Sequence, residues 1–280
     1  MEDEPFVGSE ALAACRVTRH ELRTKFRAIH RDVYISAGAE LGPVRRAKAC
    51  WLRSRRRGVL VGFSASALHG SRWIDNRRAA EISDTNRRPT PGVIARSCGI
   101  EADEMCHIAG ISVTTPARTA LDLLCWYPTD VAITAVDALA RATRLKLPDV
   151  ELVAERHQGR RGIVRARAAL DLVDSGAESP KETWLRLVII RAGFPRPQTQ
   201  IPVRNEYGVL IAELDMGYEE LKVAFEYEGA HHRVDRRQRE RDIRRFEDLA
   251  ELGWLVVRFT SEDTAGTVMR RVAAALARRQ

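Results

Sequence analysis

Leu221-Lys222-Val223-Ala224-Phe225-Glu226-Tyr227-Glu228-Gly229, preceded by Glu213-Leu214-Asp215, sets the fold class of the second half of this 280-residue chain. Side chains of an extended strand alternate between faces. Val223, Phe225 and Tyr227 therefore point one way, and Ala224, Glu226 and Glu228 the other. So apolar a strand belongs inside a sheet, where carboxylates are costly unless they are paired, protonated or bound to a cation. Asp215, at the end of the adjacent hairpin strand, converges on them. Two arrangements satisfy three neighbouring acids. One is a divalent ion such as Mg²⁺, which takes one or two carboxylates, keeps waters and completes its shell with substrate phosphate. The other is an ion-pair network with the neighbouring arginines. Gly229 ends the strand, and His232, four residues past Glu228, can turn back toward the acids. Glu182, in the first turn of a helix opened by Ser179-Pro180, is a fourth acid within reach of such a sheet.

Around this stretch the pattern predicts an α/β order: a helix over 181–192, a strand at 199–204, a hairpin of 209–216 and 221–228, a long charged helix over about 235–252, a strand at 254–259 and a terminal helix over 262–279. Residues Arg233 to Arg245 hold seven arginines among acids. Arg236, Arg237 and Arg244 are candidate phosphate contacts if they share the face of the acids. The competing reading is a solvated helix face with i,i+4 pairs, in which Asp242 and Arg245 pair structurally.

Charge separates the two halves. The chain carries a net +8, with a pI near 9.6. Residues 178–280 hold 18 basic and 17 acidic side chains, so the excess lies in residues 1–177. Such an excess favours polyanionic partners without specifying a fold. At 45% hydrophobic residues the chain is too apolar for a disordered tail. Cys15, Cys50, Cys98, Cys106 and Cys125 are odd in number and widely spaced, with no Cys-x-x-Cys pair, which indicates neither a disulfide framework nor a zinc site. No signal-like start and no run of about 18 apolar residues is present, so a soluble cytoplasmic protein with no membrane partner is expected.

Toward the N-terminus, residues 8–23 read as helical, with Ser9 as a cap. Thr18-Arg19-His20-Glu21 has capping-box spacing and starts a second short helix. Ala28 to Ile35 read as two short strands around a charged turn, which gives the order of a small winged helix. A basic helix over 43–57 follows (Arg45, Arg46, Lys48, Arg53, Arg55, Arg56, Arg57), offering DNA contacts or merely a solvated face. Val59–Phe63 is a short strand, and Ser64–His69 a helix stopped by Gly70. Segments 79–83, 92–97 and 108–113 are strand candidates, Thr114–Leu124 opens a helix with Pro116 in its first turn, and more helices run to about 174. Asp174–Pro180 is the best linker. His69 and Asp122 read as fold elements.

Two resemblances attach to these motifs. Ser179-Pro180-Lys181-Glu182, Asp215, Glu226-Tyr227-Glu228-Gly229, His232, Asp242, Arg245, Leu249, Gly253-Trp254 and Val257-Arg258-Phe259 resemble the bacterial domain related to very-short-patch-repair endonucleases, within the PD-(D/E)xK nuclease-like superfamily. The resemblance implies that Glu182, Asp215 and Glu226 bind Mg²⁺ or another divalent cation, and that Glu228, where the family usually has Lys, or His232 orients the attacking water. Arg31-Asp32-Val33-Tyr34, Ser64 to Gly70 and Gly110 to Leu123 resemble the AbiEi-type antitoxins. That resemblance implies DNA binding, repression of the protein's own operon and a protein partner of toxin-antitoxin type.

The expected fold is α+β: a winged-helix-like segment (1–42), a mixed α/β antitoxin-like region (43–174) and a restriction-endonuclease-like α/β domain (178–280). The leading functional expectation is Mg²⁺-dependent endonucleolytic hydrolysis of DNA through Glu182, Asp215, Glu226, Glu228 and His232. The alternative is a non-catalytic DNA-binding regulator with a degenerate nuclease-like domain, and a third possibility is a protein-binding antitoxin module.

Overall fold

The short strand β1 (Phe6–Val7) runs straight into helix α1 (Gly8–Ala13), and helix α2 (Arg19–Thr24) leads into the hairpin β2 (Phe26–His30) and β3 (Val33–Ser36). Together they form an antiparallel sheet in the order β1-β3-β2. The computed structural model describes residues 3–229 and 236–279; of residues 236–242 it describes the backbone alone. The predicted capping box is present, with Thr18 Oγ1 accepting from the Glu21 N–H and Glu21 accepting from the Thr18 N–H.

The expected helix over 8–23 is interrupted, because Cys15 adopts φ 52° and α1 ends at Ala13. Ser9 is not the cap. The Asp32 carboxylate, from the β2–β3 turn, accepts from the Ser9 N–H at 2.9 Å and from the Ser9 hydroxyl at 2.5 Å. A hairpin residue thus caps α1 from across the small core of Phe6, Ala11 and Val17.

Helix α3 (Pro43–Arg53) lays Ala47 and Cys50 on a second sheet through a core shared with Leu60, Ala80, Ile82, Ile111 and Val113. That sheet has the order β6-β5-β4-β8-β7, from β4 (Val59–Leu60), β5 (Ala80–Ser83), β6 (Val93–Arg96), β7 (Met105–Ile108) and β8 (Ile111–Thr114). The segment expected as one strand over 108–113 is a hairpin turning at Ala109-Gly110, both at positive φ.

Helix α4 (Gly62–Leu68) starts at a glycine for a steric reason. Gly62 has φ +52°, and a Cβ there would collide with the Glu81 carboxylate, which accepts from the Phe63 N–H at 2.8 Å. Gly62→Ala is expected to cost about 2 kcal/mol or more in a denaturant melt, because strain and displacement of a buried charge act together. Helix α5 (Pro116–Trp126), capped by Thr115, is buried along most of its length and touches α4, α6 (Thr129–Thr143), α7 (Leu147–Arg156) and α8 (Ile163–Leu170).

The chain divides after Asp171, and the second unit is described by itself. Its sheet has the order β12-β11-β10-β9, from β9 (Gln198–Arg204), β10 (Leu210–Tyr218), β11 (Val223–Tyr227) and β12 (Leu255–Phe259). β11 is antiparallel to β10 and parallel to β12, and the parallel pair is joined by helix α10 (Arg236–Glu251). Val223 and Phe225 lie in the core made with α9 (Pro180–Arg191) and α11 (Ala265–Ala277). Ala224 lies in the opposite core with Leu249 and Trp254. The alternation read from β11 therefore holds, with both faces of the strand covered. Asp174 is bound into this unit, its Oδ1 accepting from the Thr199 hydroxyl at 2.9 Å.

Candidate functional site

Asp215 lies close enough to both Glu182 and Glu226 to influence their charge. Burial pushes all three carboxyls above the ordinary range. Asp215 adds to the rise at Glu182 and Glu226, and Arg245 opposes it at Asp215 and Glu226. Their oxygens, however, are engaged by the protein. Glu182 lies in the first turn of α9, where its N–H donates to the N-cap Ser179 hydroxyl oxygen and its carboxylate accepts from the Glu178 N–H at 2.8 Å and the Ser179 hydroxyl at 2.7 Å. Asp215 Oδ2 accepts from the Tyr227 N–H at 2.9 Å. Glu226 pairs with Arg245 of α10, and Glu228 pairs with Arg258 of β12 at 2.7 Å.

Among the described residues no group of three or more His, Cys, Asp or Glu side chains is close enough to hold a metal ion. Glu226 and Glu228 are each answered by an arginine, whereas Glu182 and Asp215 are answered by N–H and hydroxyl donors. His232 lies outside the described residues, as do the side chains of Arg236 and Arg237. Arg244 is exposed on α10.

The raised carboxyls have a thermodynamic consequence. A folded-state pKa above the unfolded value means that the folded chain takes up protons first as pH falls. These groups therefore weaken the fold at neutral pH, and the cost is relieved on acidification through the folded pKa. Asp215→Asn keeps an acceptor for the Tyr227 N–H and removes the charge. It is expected to stabilise the protein by about 1 kcal/mol at pH 7, with the gain shrinking toward pH 4, in urea melts.

In the first unit, the Gly110–Leu123 motif builds a buried charge network that composition did not reveal. Arg118 is 1% exposed and bonds Glu104, Asp122 Oδ1 at 2.9 Å and the Gly99 carbonyl at 2.8 Å. His157 meets Glu104 at 2.7 Å. Burial alone would raise the Glu104 carboxyl; the His157 hydrogen bond and the Arg118 charge outweigh it and hold the group below the ordinary range. The i,i+4 spacing of Arg118 and Asp122 was visible in the sequence. Glu104, which comes from the turn before β7, carried no signal. His69 is likewise structural in its contacts, its Nε2 lying 2.8 Å from the Thr114 carbonyl.

The basic helix divides into satisfied and free arginines. Lys48 and Arg45 pair with Glu4, Arg56 with Glu10 at 2.6 Å, Arg46 bonds the Leu41 and Asn76 carbonyls, and Arg53 bonds Thr90. Just past α3, Arg55 and Arg56 both sit at positive φ (55° and 62°), a strained turn that leaves Arg55 to Arg57 exposed. Arg55 and Arg56 join Arg31, at the tip of the β2–β3 turn, and Arg88 around a cleft of about 790 Å³ whose carboxylates are Glu10 and Asp32. Asp32 is held by Ser9 and Glu10 by Arg56. Among the described residues, the guanidinium groups of Arg31, Arg55 and Arg88 have no carboxylate partner.

Residues 58–172 match the family model of the AbiEi antitoxin C-terminal domain, the region built around the Arg118 network. The uncharacterized protein Rv2248 of Mycobacterium tuberculosis strain H37Rv is 31% identical over 202 residues, which is 71% of this chain and 73% of the relative. The uncharacterized protein MT2308 of Mycobacterium tuberculosis strain CDC 1551 matches to the same extent. The chain belongs to one family with these mycobacterial proteins. No solved structure matches it. No described helix is long and apolar enough to cross a membrane.

Proposed function

We propose that the protein is a DNA-binding regulator of antitoxin type and that the nuclease-like unit at its C-terminal end is non-catalytic. The observation that carries this reading is the antitoxin-domain match at residues 58–172. The arginine cleft supplies a surface for it. We read residues 3–36 as a reduced winged helix: two short helices and a three-stranded sheet, with the hairpin tip presenting Arg31. Arg31, Arg55 and Arg88 would neutralise backbone phosphates, which positions a protein on a duplex without reading bases. In this reading the carboxylates of the second unit have no catalytic role, and their charge is answered by arginines or by N–H and hydroxyl donors of the protein.

A reporter driven by the protein's own upstream region tests the proposal. Intact protein is expected to repress it about tenfold or more, and Arg31→Ala/Arg55→Ala/Arg88→Ala to release it. Equal expression with and without the protein would remove the reading. Supercoiled plasmid with Mg²⁺ separates this reading from the endonuclease alternative. The expected result is binding without nicking, whereas Mg²⁺-dependent nicking that Asp215→Ala abolishes would establish endonuclease activity instead.

A further inference from the structure

A second arginine-lined cavity lies within the antitoxin domain, apart from the cleft proposed for DNA. It encloses about 930 Å³, the size of a small-ligand site, and its walls carry Arg96, Arg118, Arg160, Arg161 and Arg165 beside Trp126. The carboxylate on its wall is Glu101. Behind the wall, Glu81 holds Arg96, while Glu104 and Asp122 hold Arg118. These acids leave donors over. Arg160 Nη2 is ion-paired with Asp122 Oδ1 at 2.6 Å, while its Nη1 is buried without a hydrogen-bond partner. Asp122 Oδ2 is also without one.

A buried guanidinium nitrogen without an acceptor is costly, and a ligand oxygen is one group that would complete it. Arg96 and Arg160 lie 4.0 and 5.1 Å from the centre of the Trp126 ring, which holds both guanidiniums in place. Arg161 and Arg165 are exposed nearby, and Arg165 is steadied by the Cys125 carbonyl at 2.7 Å. Each guanidinium fork fits carboxylate and phosphate oxygens alike, and several converging on one space suit an anion with three or more oxygens and more than one charge, as phosphate has.

We propose that this cavity binds the phosphate group of a small phosphorylated ligand, with Arg160 as the deep contact and Arg161 and Arg165 as the outer ones. The site is independent of the DNA-binding reading, because it uses none of the residues around the first cleft.

Isothermal titration of the full chain with inorganic pyrophosphate tests it, at fixed salt. One saturable site with Kd on the order of 100 µM is expected. Arg161→Ala/Arg165→Ala is expected to weaken it at least about tenfold, and Arg161→Glu to do so more strongly, with melting temperatures unchanged. No saturable binding at about 10 mM pyrophosphate, or equal binding by both variants, overturns the proposal. A short oligonucleotide is the second arm. If it binds here and pyrophosphate does not, the cavity is a nucleic-acid contact and the proposal fails. Reporter repression does not enter either arm, so the two readings stand or fall separately.

Discussion

Arg118→Ala is expected to destabilise the first unit by about 3–5 kcal/mol, a large share of the stability of an ordinary domain. The size follows from what is left behind. Glu104 and Asp122 are both 0% exposed, and removing the guanidinium strands two carboxylates in the interior, together with the Gly99 carbonyl. His157 and Arg160 remain beside them, which keeps the loss from being larger. Replacing Arg118→Met together with Glu104→Gln and Asp122→Asn is expected to recover part of the loss, because the two stranded carboxylates are removed, although Arg160 then loses its Asp122 partner.

The pH dependence gives a second handle. The depressed Glu104 carboxyl adds stability that is present above its unfolded pKa and lost as pH falls through the folded pKa. In the Arg118→Ala variant that support is gone, and protonation relieves the stranded acids. The difference between wild type and variant is therefore largest at neutral pH and narrows toward pH 4. Guanidinium melts at both pH values measure it. A loss below about 1 kcal/mol at pH 7 would show that the network is not what holds α5 to the β7 side of the domain.

Arg31→Ala/Arg55→Ala/Arg88→Ala has the other large expected effect, on DNA affinity rather than stability. The three side chains are exposed and carry no carboxylate partner among the described residues, so their removal leaves the melt almost unchanged. Each phosphate contact releases about one counterion. The slope of log K against log salt is thus expected to fall by about three, with affinity reduced roughly 10²–10³-fold at moderate salt. Arg45→Ala serves as the control. Arg45 already lies beside Glu4 and Asp3, and its loss is expected to change affinity by less than about twofold.

Particular residues show how far the sequence could be read. The alternation along Val223–Tyr227 gave both the buried strand and the shared face of Ala224 and Glu226, because a period of two follows from backbone geometry alone. Thr18 and Glu21 announced their capping box for the same local reason. What could not be read was the choice of partner across long separations. Glu226 finds Arg245 on a crossover helix, Glu104 finds Arg118 fourteen positions away, and Asp32 caps a helix twenty-three positions upstream. The cluster of acids in the second unit was visible as a cluster. Whether a metal or arginines answer its charge depends on tertiary placement, and in the fold Arg245 and Arg258 stand beside Glu226 and Glu228.

The free arginines illustrate the same limit. The basic run over 45–57 looked uniform, yet its members on α3 are largely absorbed by Glu4, Thr90 and backbone carbonyls. Arg55, just past the helix, is left on the cleft with Arg31 and Arg88. Of the basic run over 45–57, it is thus the last residue of the helix, Arg53, and the part just past it, Arg55 and Arg56, that line the cleft.

Fluorescence anisotropy tests the central claim most directly, with a labelled duplex from the protein's own upstream region titrated with the full chain between 50 and 200 mM salt. The account predicts saturable binding that weakens linearly in log–log form and is strongly reduced in Arg31→Ala/Arg55→Ala/Arg88→Ala. Absence of binding at 50 mM salt, or binding unaffected by the triple variant, would contradict it.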